Sequence, residues 1–204
     1  MDRKQRLYVW LTGLFVAALL TADLIGARFF RVAGHDLSVG MLAFPLTFVL
    51  TDVVNEFFGP KGARRLTFVG LGAALFAFAI INLALVMPES PTSPLPAATF
   101  QTVFGWSTRL YVASLSAYVI GQLIDITVFG ALRRLTGERF LWARATGSTL
   151  IGQALDTFVV TTVLLWGTQP MAAILAVVRD SYLIKIAIAL GLTPVIYGAH
   201  GLLK

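Results

Sequence analysis

The sequence predicts an all-α integral membrane protein, a bundle of six transmembrane helices. Three observations predict it. Of 204 residues, 57% are hydrophobic and only 13% charged, about half the charge of an ordinary soluble domain. The apolar residues gather into six stretches of bilayer length, at about 20 residues per crossing. Lysine and arginine fall between those stretches on alternate sides, as a topology signal does.

The six expected spans are Leu7–Phe30, Val39–Phe58, Arg65–Met87, Arg109–Leu132, Ser148–Trp166 and Ser181–Leu203, a single transmembrane domain over residues 1–204. The first follows a basic start, Arg3, Lys4 and Arg6, as a signal peptide would. It is too long for a signal core and no small-residue cleavage site follows, so it is read as a retained helix. The second span contains Pro45, Asp52, Asn55 and Glu56. Proline there is expected to kink or break the helix, which a membrane tolerates where neighbours satisfy the backbone. The connection after the third span, Pro88 to Pro96, has four prolines in nine residues and is expected to be a stiff extended loop. Phe100, Phe104 and Trp106 then suit a return to the interface.

On one side lie Arg3, Lys4, Arg6, Lys61, Arg64, Arg65, Arg133, Arg134, Arg139, Arg144 and Lys204; on the other, Arg28, Arg31, Arg109 and Arg179. Eleven against four puts both termini in the cytoplasm. Because the excess of six positive charges is spread between apolar stretches rather than along one face, no nucleic-acid partner is implied. The chain has no cysteine and only His35 and His200, which removes thiol chemistry and argues against a metal centre. No cofactor is implied and no catalytic residue stands out.

The polar residues inside the spans carry the functional signal. An ionisable group at a helix centre costs roughly 2.5–3.5 kcal/mol on insertion scales, so each needs a reason. Asp52, Asn55 and Glu56 stand at i, i+3 and i+4 on one face of the second span. Gln122 and Asp125 share a face of the fourth, and Gln153 and Asp156 a face of the fifth. The last two pairs belong to a repeated phrase, Gly121-Gln122-Leu123-Ile124-Asp125 and Gly152-Gln153-Ala154-Leu155-Asp156. On adjacent antiparallel helices, the glycines allow close approach while the amides and carboxylates point into the bundle.

With the second span, these residues are expected to line one polar pocket. Carboxylates accept hydrogen bonds and carboxamides both donate and accept, so the pocket suits a planar heterocycle with an N–H and an exocyclic amine. Phe44, Phe48, Phe57, Tyr111 and Tyr118 are candidates to stack on it. Glutamine and asparagine also tie helix to helix in membranes, which is the alternative for Gln122, Gln153 and Asn82. Lys185 in the sixth span is expected to be a counter-ion for one of the acids, and Arg28 for Asp23.

Several of these stretches also resemble a known family. They are Phe44-Pro45-Leu46-Thr47-Phe48-Val49-Leu50-Thr51-Asp52-Val53-Val54-Asn55-Glu56-Phe57-Phe58-Gly59 with Lys61 and Ala63-Arg64, then Ser114-Leu115-Ser116-Ala117-Tyr118, Gly121 to Asp125, and Ser148-Thr149 with Gly152 to Thr157. In this order and spacing they are similar to the queuosine precursor transporters of the vitamin uptake transporter group, over roughly residues 10–200. The resemblance implies a bacterial inner-membrane importer of 7-deazaguanines such as 7-cyano-7-deazaguanine, salvaged to make queuosine in tRNA. It also implies the six-helix arrangement of energy-coupling-factor S components, working without a dedicated ATPase module; a homo-oligomer stays open. The alternative is an S component for another vitamin or nucleobase that needs such a module. The matching polar positions are Asp52, Asn55, Glu56, Gln122, Asp125, Gln153 and Asp156.

Overall fold

A computed structural model of the chain describes residues 2–26, 28–32, 35–105, 108–136, 140–167 and 169–203. Helix α1 covers Arg3–Ile25. Asp2 caps it reciprocally: its carboxylate accepts from the Gln5 N–H at 2.6 Å, and the Gln5 side chain accepts from the Asp2 N–H at 3.2 Å, which satisfies two otherwise orphaned donors. Phe15, Ala18, Leu19 and Ala22 form its buried stripe at helical spacing. Trp10 on another face is 79% exposed, as a lipid-facing side chain is.

The helix ends at Ile25, short of the expected Phe30. Phe29–Val32 form strand β1, antiparallel to β2 at His35–Ser38, with Arg31 opposite Asp36. This strand pair replaces the end of the first expected span, which was to run to Phe30, in an otherwise helical chain. Its cause is visible after the fact: Phe29, Phe30 and Val32 favour extended backbone, and Gly26 follows the last helical residue. A two-stranded sheet leaves backbone groups open along its edges, so it belongs outside the hydrocarbon layer.

A short 3-10 turn, Val39–Leu42, leads into α2, Phe44–Leu85. Pro45, expected to break this segment, sits in its first turn, where a missing N–H costs nothing. The break falls at Gly59 instead, whose φ of 70° and ψ of 178° suit glycine alone, and Pro60 follows it. The second and third expected spans are thus the two limbs of α2. Residues 86–96 are irregular, and the short α3, Ala97–Phe104, follows; Phe100 and Phe104 stack on each other there, ring centroids 4.7 Å apart. Trp106 lies outside the described residues.

Helix α4 spans Thr108–Thr136, α5 Leu141–Leu165 and α6 Met171–Leu203. Both α5 and α6 begin well before the expected starts, which draws Arg144 into the helix. The core between α1, α2 and α4 is Phe15, Leu19, Val54, Leu66, Tyr118 and Ile126, with the Tyr118 hydroxyl donating to the Thr67 carbonyl at 3.0 Å. Arg3–Ile25, Val39–Leu85 and Ala113–Thr136 are each long and apolar enough to cross a membrane, so the chain is an α-helical membrane protein.

Candidate binding site

The two copies of the repeated phrase meet where α4 packs on α5. A Cβ added to Gly121 would lie 3.1 Å from the Gly152 carbonyl and 3.2 Å from the Asp156 Cβ. One added to Gly152 would lie 3.0 Å from both the Asp125 Cβ and the Gly121 carbonyl. Each aspartate therefore lies over the other copy's glycine, and only hydrogen in that place lets the backbones come so close. Phe48 of α2, 3.3 Å from the same point on Gly152, closes the third side and meets Phe44 edge-on at 5.7 Å.

Asp52 sits at the centre. It accepts from the Thr149 hydroxyl at 3.3 Å and the Ser148 hydroxyl at 3.5 Å, and Asp125 is its carboxyl neighbour. Both are fully enclosed: Asp125 is 0% exposed and lies beside Asp52, Ser148 and Thr149, and among the described residues neither of its oxygens makes a well-formed hydrogen bond. Gln122, also 0% exposed, meets the Thr51 hydroxyl at 2.9 Å through Oε1 while its Nε2 is unpaired. Thr51 has one proton and two acceptors in reach, since the Thr47 carbonyl lies 2.8 Å away. Turning the Gln122 amide over resolves the conflict, because the amide then donates to Thr51 and its oxygen is left over. In either orientation one polar atom of Gln122 is unsatisfied. Gln153, 2% exposed, has both amide atoms unpaired, and the Thr157 hydroxyl beside it is unpaired as well.

Glu56 and Asp156 are neutralised inside the protein. Glu56 takes the Arg144 guanidinium at 2.6 Å and that of Arg133 at 3.7 Å. Arg133 also donates to the Glu56 carbonyl at 2.9 Å, and Arg144, 1% exposed, lies over the Phe129 ring. At the other end, Lys185 bonds Asp156 at 2.8 Å and lies over Phe44. Arg28 is exposed and pairs with no described acid, so the expected Asp23–Arg28 pair is not formed among the described residues. Asn55 donates to the Ile126 carbonyl at 3.2 Å, the helix-tying role, and Asn82 donates to the Phe78 carbonyl of its own helix.

Of the aromatic candidates, Phe44 and Phe48 border the site and Tyr118 is occupied with Thr67. The side chains of Tyr111, His35 and His200 lie outside what is described. Sequence reasoning missed Thr51, Ser148 and Thr149, and it treated Arg144 as a loop charge. An acid one turn beyond Asp52 had to find a cation, but nothing in the spacing said which.

A buried array of carboxylate and carboxamide atoms inside helices of bilayer length defines a multi-pass membrane protein with a polar interior. A family model described as "Putative vitamin uptake transporter" matches residues 38–199, and the chain belongs to that family. Among curated relatives, the "Probable queuosine precursor transporter" of Bacillus subtilis (strain 168) is 31% identical over 96% of this chain and 84% of its own length. Its counterpart of the same printed name in Haemophilus influenzae is 30% identical over 78% of this chain and 69% of its own. The "Queuosine precursor transporter" of Escherichia coli (strain K12) is 28% identical over 77% and 68%. No solved structure matches the chain.

Proposed function

We propose that this protein carries queuosine precursors, 7-deazaguanine bases such as 7-cyano-7-deazaguanine, across the bacterial inner membrane. One observation carries the reading: Asp125, Gln122 and Gln153 bring unpaired acceptors and donors together in a closed interior where each would otherwise cost about 1–3 kcal/mol. A guanine-like edge offers an N–H and an exocyclic amine to a carboxylate's two oxygens, and a ring carbonyl to a carboxamide N–H. In this reading Asp125 takes the amidine edge, Asp52 supports it, and Gln122 and Gln153 read the ring's other polar atoms. Phe48 offers a face to stack on. Glu56, Asn55 and Asp156 frame the pocket through their partners. The names of the relatives support the substrate class and a transport rather than an enzymatic role.

The membrane arrangement belongs to the same proposal. The two limbs of α2 separate at Gly59, and with α1, α4, α5 and α6 they make six helical segments. At 1.5 Å per residue the 25 residues of α5 reach about 37 Å and the 33 of α6 about 50 Å, enough for a bilayer. With Arg133 and Arg144 set aside as ion-pair partners, nine basic residues still oppose four, which supports cytoplasmic termini. The family resemblance supports an S-component-like bundle that works without a dedicated ATPase module.

The test is salvage. A bacterium unable to make or import queuosine precursors receives this gene and is fed nanomolar 7-cyano-7-deazaguanine, and tRNA queuosine is read on a boronate gel. Restored modification is the expected result. Unmodified tRNA with the protein present in the membrane would overturn the substrate assignment.

A further inference from the structure

We propose that a groove between the first turns of α1 and the start of the second limb of α2 binds an anionic phospholipid. The groove encloses about 620 Å³ and is bordered by Lys4, Tyr8 and Val9 of α1 and by Phe58, Lys61 and Arg65 of α2. It lies apart from the buried carboxylates and does not depend on what they bind.

Its charge is one-signed. Three cations converge, no carboxylate lines the groove, and none of the three has an ion-pair partner among the described residues. The nearest acid in sequence, Asp2, is engaged in capping α1. Lys61 and Arg65 stand at i and i+4, so their like charges repel on one helix face, and a bound anion relieves that repulsion.

Its floor is apolar and rigid. The Tyr8 and Phe58 rings meet edge to face at 5.1 Å, and the Tyr8 hydroxyl donates to the Gly62 carbonyl at 2.9 Å. The left-handed turn at Gly59 aims the second limb so that its basic first turn faces α1. Beyond the cations the wall includes exposed Val9, on a helix of membrane-spanning length.

A cationic rim above an apolar wall at a membrane helix end has the two-part chemistry of a phospholipid. The phosphate is held by Lys and Arg, and the acyl chain lies along Tyr8, Val9 and Phe58. A soluble phosphate would use the rim and leave the wall idle.

The full chain, purified in a neutral detergent, is titrated with phosphatidylglycerol and with phosphatidylcholine of the same acyl chains, and binding is read by native mass spectrometry and thermal melting. Phosphatidylglycerol is expected to bind at least about tenfold more tightly and to raise the melting temperature. Millimolar inorganic phosphate should not displace it. Each cation removed should weaken phosphatidylglycerol binding about fivefold, so Lys61→Gln with Arg65→Gln weakens it about 25-fold and abolishes the preference, while Lys61→Arg keeps it. These side chains are exposed, so the variants leave the core intact. Equal binding of the two lipids, displacement by phosphate alone, or a preference that survives the double variant would each overturn the proposal.

Discussion

Asp52 and Glu56 stand one turn apart on the same face of α2, and the surrounding helices treat them in opposite ways. Glu56 meets two guanidinium groups. Asp52 meets two hydroxyls and a second carboxylate, with no described cation in contact. Burial penalises an unpaired charge on either, and what differs is the set of partners each meets. The Glu56 end is complete within the protein and fastens α2 to α4 and α5. The Asp52–Asp125 centre has no described cation, and the proposed substrate would complete it.

The largest expected effect breaks the fastened end. Arg144→Met leaves Glu56 buried without its nearest cation and should destabilise the protein by about 3–5 kcal/mol, seen as a sharply lower melting temperature in detergent. Adding Glu56→Gln should restore much of that loss, and a double variant no better than the single would mean the pair does not act as a unit.

At the centre the signature should be inverted. Asp125→Asn removes one of two buried carboxyls that face each other, so melting should hold or rise while uptake of 7-cyano-7-deazaguanine falls by about 10- to 100-fold, the worth of one charge-assisted hydrogen bond. Normal uptake in this variant would move the binding site elsewhere.

A smaller effect tests the joint between the two phrases. Gly152→Ala puts a methyl 3.0 Å from the Asp125 Cβ and the Gly121 carbonyl; overpacking of this kind costs about 1–3 kcal/mol. Uptake should fall with it because Asp125 is displaced, and unchanged melting and uptake would show that the helices separate freely.

Smallest of all, Tyr118→Phe removes one hydrogen bond to Thr67 and should cost about 1 kcal/mol, with uptake unaffected. A transport defect there would put the aromatic side chain in the pathway rather than the core.

Much of the fold was legible because lipid imposes it. With no water to satisfy the backbone, an apolar stretch of bilayer length has little choice but helix, so the apolar stretches of α1, α4 and α6 announce themselves. The hairpin at residues 29–38 was not legible, since Phe29 and Phe30 are as apolar as the helix before them and only the pairing with Leu37 and Ser38 reveals a strand. The helix break was misplaced for a related reason. Proline marks a break in sequence, but its effect depends on where the first turn begins, and Gly59 carries the turn.

The site divides along the same line. Periodicity alone put Asp52 with Glu56, Gln122 with Asp125, and Gln153 with Asp156, because residues three and four apart share a helix face whatever the tertiary arrangement. It also flagged every one of these residues as needing a reason, because charge in a bilayer is costly wherever it sits. Which acid met a cation was decided only in three dimensions. Arg144 lies 88 residues from Glu56 and Lys185 lies 29 from Asp156, and no local pattern links such distances. Helix packing chose the partners, and by pairing Glu56 and Asp156 it left Asp52 and Asp125 facing each other with no described cation between them.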